Sequence, residues 1–195
     1  MMLRNILSVP IGSALSMMLL VSACSDTTLA TRSFNESLQA LNIPGSPIAL
    51  AGTLPPIDVP LNLRDQEDFS SLDFVTSVNI RNITFNISPE SENPNSDPFE
   101  DGNPDNFDFI SGLSLSMVAT INGTSQVVPV ASLAPGSAQI GTNTRTLELD
   151  VEDTDIRDFV EAPDVALRVS VSGMTPLDFV TVIPEIRYRV GIGIR

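Results

Sequence analysis

Phe107-Asp108-Phe109-Ile110-Ser111-Gly112-Leu113-Ser114-Leu115-Ser116-Met117-Val118-Ala119-Thr120-Ile121-Asn122-Gly123-Thr124 is the stretch that decides the fold class. The odd positions Phe109, Leu113, Leu115, Met117, Ala119 and Ile121 are apolar and most even neighbours are small or polar. That period of two marks a strand with one dry face and one wet face. The stretch runs into Asn122-Gly123, a dipeptide that accepts the two positive backbone angles of a type I′ turn. Val127 to Ala131 should therefore return antiparallel.

Working outward, the same period recurs. Ile57, Val59, Leu61 and Leu63 alternate with polar or turn residues, while Pro55, Pro56 and Pro60 restrict that strand to a sheet edge. Leu147, Leu149 and Val151 form another alternating set, as do Val165, Leu167, Val169 and Val171, and then Ile186, Tyr188, Val190, Ile192 and Ile194. Turn chemistry such as Ala134-Pro135-Gly136-Ser137 and Ser172-Gly173 separates them. No crossover helices are available between strands, so the pattern fits an antiparallel sandwich better than a parallel α/β sheet. The expected fold is all-β, an antiparallel two-layer β-sandwich of about seven or eight strands. Short helical corners are expected too, because Ile156, Phe159 and Val160 follow Asp153-Thr154 at helical spacing. The tripeptide Asp-Phe-Val occurs at 73–75, 158–160 and 178–180, each time shortly before an alternating segment that carries an arginine: Arg81, Arg168 and Arg187. The expectation is a shared packing role, with the phenylalanine plugging one end of the sandwich.

The N-terminus has a different character. Arg4 precedes an apolar region from about Ile6 to Val21, interrupted by Pro10, Gly12 and Ser13, so the clean run is too short to span a bilayer. Leu20-Val21-Ser22-Ala23-Cys24 closes it and contains the chain's one cysteine. This segment resembles a bacterial lipoprotein signal peptide with its lipobox. The resemblance covers residues 1–24 alone. It implies cleavage after Ala23, lipidation of Cys24, and membrane attachment through the lipid. Ser25 directly after the cysteine implies the outer membrane, periplasmic or surface face, rather than the inner membrane. The expected organisation is a signal peptide over 1–23, an anchor and tether over 24–45, and one sandwich domain over 46–195. Within the tether, Ser33 and Glu36 fit a capping box. Phe34, Leu38 and Leu41 fall at i, i+4 and i+7, predicting a short helix ended by Pro44-Gly45. A flexible linker of some 20 residues would hold the domain roughly 25 Å from the bilayer.

Charge narrows the partners. The chain has 24 acidic and 10 basic residues, and removing 1–23 takes away only Arg4, for a mature net charge of −15. Nucleic acid is excluded, since its phosphates require a basic stripe that is absent. One cysteine rules out an intramolecular disulfide.

The segment 88–106 holds Glu90, Glu92, Asp97, Glu100, Asp101 and Asp105, four prolines and no base. Its composition reads first as a solvated loop. Asp97, Asp101, Asn103, Asp105 and Asp108 also place side-chain oxygens close together in sequence, and calcium takes six to eight such ligands. The pattern departs from an EF-hand loop, with Asn106 where glycine is wanted and no terminal glutamate.

Catalysis has few routes. There is no histidine and no lysine, which removes histidine-activated nucleophiles, histidine zinc sites and Schiff bases. A carboxylate pair of the glycosidase type needs only two acids, yet sugar sites usually add aromatic platforms and this chain has no tryptophan and one tyrosine, Tyr188. Gly191-Ile192-Gly193 has no helix after it to cradle a phosphate. No catalytic residues and no cofactor are therefore expected beyond the calcium alternative. Two functions fit: a structural or protein-interaction lipoprotein that pairs with another envelope protein, or a carrier that admits a lipid or small hydrophobic ligand between its sheets.

Overall fold

The computed structural model describes residues 27–46, 51–61, 63, 75–89, 91, 105–134 and 144–194. In chain order the strands are β1 (Thr27–Ser37), β2 (Leu41–Ile43), β3 (Ala51–Thr53), β4 (Ile57–Pro60), β5 (Val75–Ile87), β6 (Ile110–Ile121), β7 (Thr124–Leu133), β8 (Thr146–Glu148), β9 (Asp150–Val151), β10 (Ala166–Met174) and β11 (Val180–Ile194). One helical turn, α1 (Arg157–Val160), precedes β10. The strands make two antiparallel sheets. The first runs β1-β11-β5-β8 with β2 also on β11; the second runs β3-β10-β6-β7-β9 with β4 also on β10. The molecule is the all-β sandwich that the alternation predicts.

The β6–β7 hairpin forms as its residues dictate. Ile121 pairs with Thr124, and Asn122 and Gly123 take φ of 52° and 76°. Both values lie in the left-handed region, where Asn and Gly are the least penalised residues. Leu113, Leu115, Met117 and Ala119 are buried, and Val130 is the extra residue of a bulge on β7, so Val130 and Ala131 both face the core.

Three strands are interrupted, and counting each once leaves eight among the described residues. β3 and β4 lie end to end along β10, parted at Leu54-Pro55-Pro56; the prolines cannot donate to a ladder, and they sit on an edge as expected. β8 pairs with β5 in the first sheet, yet two residues later β9 pairs with β7 in the second. Leu147, Leu149 and Val151 are thus one strand that changes sheets at a corner.

The third interruption corrects the expected tether. Residues 27–37 are a strand, with Phe34 opposite Tyr188 and Ser37 opposite Glu185, and β2 continues along β11 from Leu41 opposite Val182. There is no helix over 33–41, and residues from Thr27 on already belong to the sandwich rather than to a tether ending at 45. Phe34, Leu38 and Leu41 are all buried, as a helical stripe would demand, but by a different period: Phe34, Glu36 and Leu38 alternate, and a three-residue break resets the phase at Leu41. A helix this short is marginal in water, whereas β11 offers fifteen residues of ladder.

Among the described residues the core between the sheets is closely packed. Leu115, Met117, Leu147, Ile156, Leu167, Ile186 and Tyr188 are essentially inaccessible, each large aliphatic side chain contributing about 1.5–3 kcal/mol by burial. A void of about 20 Å³ remains, lined by residues that include Leu41, Ile57, Phe85, Phe107, Leu113 and Val171. α1 closes one side of the sandwich. The Asp155 carboxylate accepts from the Val78 and Arg157 amides at 2.9 and 3.0 Å, and the Ile156 amide donates to the Val78 carbonyl at 2.7 Å. This covers part of the outer edge of β5 and drives Phe159 into the core. Among the described residues no helix is long and apolar enough to cross a membrane.

Candidate functional site

The turn from β10 to β11 reverses the usual relation between polarity and burial. Pro176, Asp178 and Val180 face inward while Leu177 and Phe179 face solvent. Leu177 is 56% exposed, Phe179 45%, and Met174 at the end of β10 50%. A buried carboxyl beside exposed large apolar groups is the informative kind of departure, since single exposed leucines are common and buried aspartates are not. The expected phenylalanine plug holds for Phe159, at 5% exposure, and fails for Phe179. Phe179 is turned out because β11 presents Val180 and Val182 to the core, which fixes its odd-numbered residues on the opposite face. Phe74 lies outside the described residues.

The turn is firmly seated. The Ser46 amide donates to the Pro176 carbonyl at 2.8 Å and the Met174 amide to the Phe109 carbonyl at 2.8 Å. Gly45 lies against the Asp178 main chain so closely that a Cβ there would overlap it. Glycine is required by that approach, a signal that Pro44-Gly45 carries for a reason other than ending a helix.

The acidic segment is tied to the same end. The Ser88 amide donates to the Thr181 carbonyl at 2.8 Å, the Thr181 amide to Ser91 Oγ at 3.0 Å, and the Ser91 hydroxyl to Asp105 Oδ2. Ser88, Ser91 and Asp105 are buried. Of the residues considered for calcium, Asp105 thus turns inward to a serine, and Asp108 is exposed with its amide donating to Asn106 Oδ1 at 2.8 Å. Asp97, Asp101 and Asn103 lie outside the described residues, as does Cys24. Among the described residues no three acid or cysteine side chains converge on a point where a metal would sit.

Two further features bear on chemistry. An open groove of about 480 Å³ crosses β1, β11 and β5, lined by Asn35, Glu36, Ser37, Asn82, Thr84, Glu185, Ile186 and Arg187; its lining is hydrogen-bonding and holds no nucleophile–base pair. Beneath it, Tyr188 is wholly buried and its hydroxyl donates to Glu36 Oε2 at 3.0 Å. Burial, reinforced by the Glu36 charge and this hydrogen bond, pushes the phenol pKa well above its ordinary range. On the other sheet, Arg168 grips Asp58 through two bonds of 2.7 and 2.8 Å, which lowers the pKa of Asp58.

No family model matches the chain, and no curated protein matches it. Among solved structures, the empty head of turnip yellow mosaic virus is similar at 10% identity, over 100% of this chain and 90% of that one, with a TM-score of 0.31. A likeness this weak carries no argument about function.

Proposed function

We propose that the protein is a lipid-anchored cell-envelope lipoprotein, held through Cys24 and directed to the outer membrane, whose sandwich is a non-enzymatic structural or protein-interaction module. The observation that carries this reading is the turn at 174–179, where large apolar side chains are presented outward on a seated loop while the aspartate between them is buried. Its position fits the anchor. Thr27 pairs with Ile194 at one end of β11 and the turn precedes Val180 at the other, so at about 3.3 Å per residue the two poles are roughly 46 Å apart. Cys24 precedes Thr27 by three residues, a reach of about 10 Å. A lipid on Cys24 would hold the β1 pole against the bilayer and the apolar turn far from it.

Packing between the sheets among the described residues favours this module over a carrier, because the void of about 20 Å³ there holds little more than one water. Labelled palmitate fed to cells expressing the full chain should appear on the wild type and be absent from Cys24→Ala. Label that persists in the mutant would remove the anchor and with it the proposed orientation.

A further inference from the structure

We propose that the outer face of the first sheet, centred on the groove at Arg187, binds an acidic polysaccharide, a chain of sugars that carry carboxylates. Such a site goes beyond the lipoprotein reading and does not depend on it.

β11 runs through that face with β1 on one side and β5 on the other. Ile186, Tyr188 and Val190 are buried, so Glu185, Arg187 and Arg189 stand outward. The ladder registers place each of these in a cross-strand row: Ser37-Glu185-Thr84, Asn35-Arg187-Asn82 and Ser33-Arg189-Asn79. Every row has a charged side chain in the middle and a short hydroxyl or amide side chain on both flanks. A bulge on β5 makes this possible, because the extra residue Arg81 brings Asn79 and Asn82, three apart in sequence, to the same face. Asn82 is held there by donating to Glu148 on β8. The rows at Glu185 and Arg187 line the groove of about 480 Å³, a volume within the range of ligand sites. Arg187 lies seven residues from either end of β11, so the groove opens sideways, midway between the two poles.

The side chains select the ligand. Three other arginines of this acidic chain meet a carboxylate: Arg81 and Asp153 at 3.9 Å, Arg157 and Asp158 at 3.9 Å, Arg168 and Asp58 at 2.7 Å. Arg187 and Arg189 are exposed, and among the described residues no ion pair or side-chain hydrogen bond engages them. Two free guanidiniums on one face are forked donors suited to carboxylates. The groups beside them call for more than charge. Asn35, Ser37 and Thr84 both donate and accept, whereas Glu185 only accepts. Sugar hydroxyls satisfy that mixture, and a uronic acid carries hydroxyls and a carboxylate on one ring. An acidic peptide brings carboxylates without the hydroxyls. A neutral glycan would leave the arginines without a partner and would find no aromatic ring in the groove on which to stack. The net charge of −14 repels polyanions in general, but that repulsion is screened beyond about 8 Å at physiological ionic strength, whereas the arginine–carboxylate pairs act in contact.

The test is isothermal titration of the full chain in detergent micelles at physiological salt, with tetragalacturonate, tetramannuronate, cellotetraose and tetraglutamate as probes. At least one of the two uronates should bind saturably, and cellotetraose and tetraglutamate should each bind about tenfold or more weakly. Arg187→Gln, with unchanged circular dichroism, should lose about tenfold or more in uronate affinity, because a hydrogen bond between charged groups is removed. Asn35→Ala should lose about two- to tenfold, the worth of a neutral hydrogen bond. Arg168→Gln, on the other sheet, should bind as the wild type does. No saturable binding of either uronate, equal affinity for cellotetraose or for tetraglutamate, or an Arg187→Gln or Asn35→Ala variant that binds like Arg168→Gln would each overturn the proposal.

Discussion

The tripeptide Asp-Phe-Val is folded twice in the described molecule, with opposite results. At 158–160 the aspartate is exposed and the phenylalanine is buried; at 178–180 the aspartate is buried and the phenylalanine is half-exposed. Local propensity is the same in both, so it cannot be the cause. In the first, α1 is pinned to β5 by Asp155 and Ile156, and the helical turn swings Phe159 under the sheet. In the second, the long β11 ladder sets which residues face inward, and Phe179 inherits the outer phase. What surrounds a segment decides which of its side chains belongs to the core.

The widest separation between the two copies should appear on truncation. Phe159→Ala removes a buried ring and should cost about 3–5 kcal/mol in urea unfolding. Phe179→Ala should change stability by less than about 0.5 kcal/mol. Equal losses would mean that the two rings are packed alike. The aspartates should show the reverse order: Asp178→Ala, at a buried carboxyl, is expected to cost about 1–3 kcal/mol, and Asp158→Ala close to nothing. A smaller effect extends the comparison along β11 to its other buried polar group. Because the folded-state pKa of the Tyr188 phenol is raised, its contribution is complete below the unfolded value near 10 and is lost as pH rises beyond it. The chain has no histidine or lysine, and Tyr188 is its one tyrosine, so this phenol dominates the alkaline response. Above pH 10, stability should therefore fall by about 1.4 kcal/mol per unit, and the fall should vanish in Tyr188→Phe. A slope unchanged in that variant would place its origin elsewhere.

The fold class was legible because two local signals agree at β6 and β7: alternation and a positive-φ dipeptide. The start of the domain was not. Phe34, Leu38 and Leu41 fit a helical stripe, and what overrides it is a ladder to residues some 150 positions away. Glu36, which looks like a helix cap, instead receives the hydroxyl of a tyrosine on the far strand. The outward turn of Leu177 and Phe179 was equally hidden, since an apolar residue beside Val180 reads as core until the register is known. The roles of Asp105 and Gly45 share this origin. Each depends on a contact made by the folded chain, Asp105 with Ser91 and Gly45 with Asp178, and neither leaves a periodic trace.

β1 and β11, the first and last strands described, lie side by side, with Thr27 against Ile194. Closing that ladder joins residues separated by nearly the whole domain, a high contact order that places folding in the slow range typical of all-β domains, milliseconds to seconds. The first strand to leave the ribosome must wait, unpaired, for the last. The hairpin at Asn122-Gly123 can form within itself in microseconds; the β1–β11 ladder is completed only when β11 arrives.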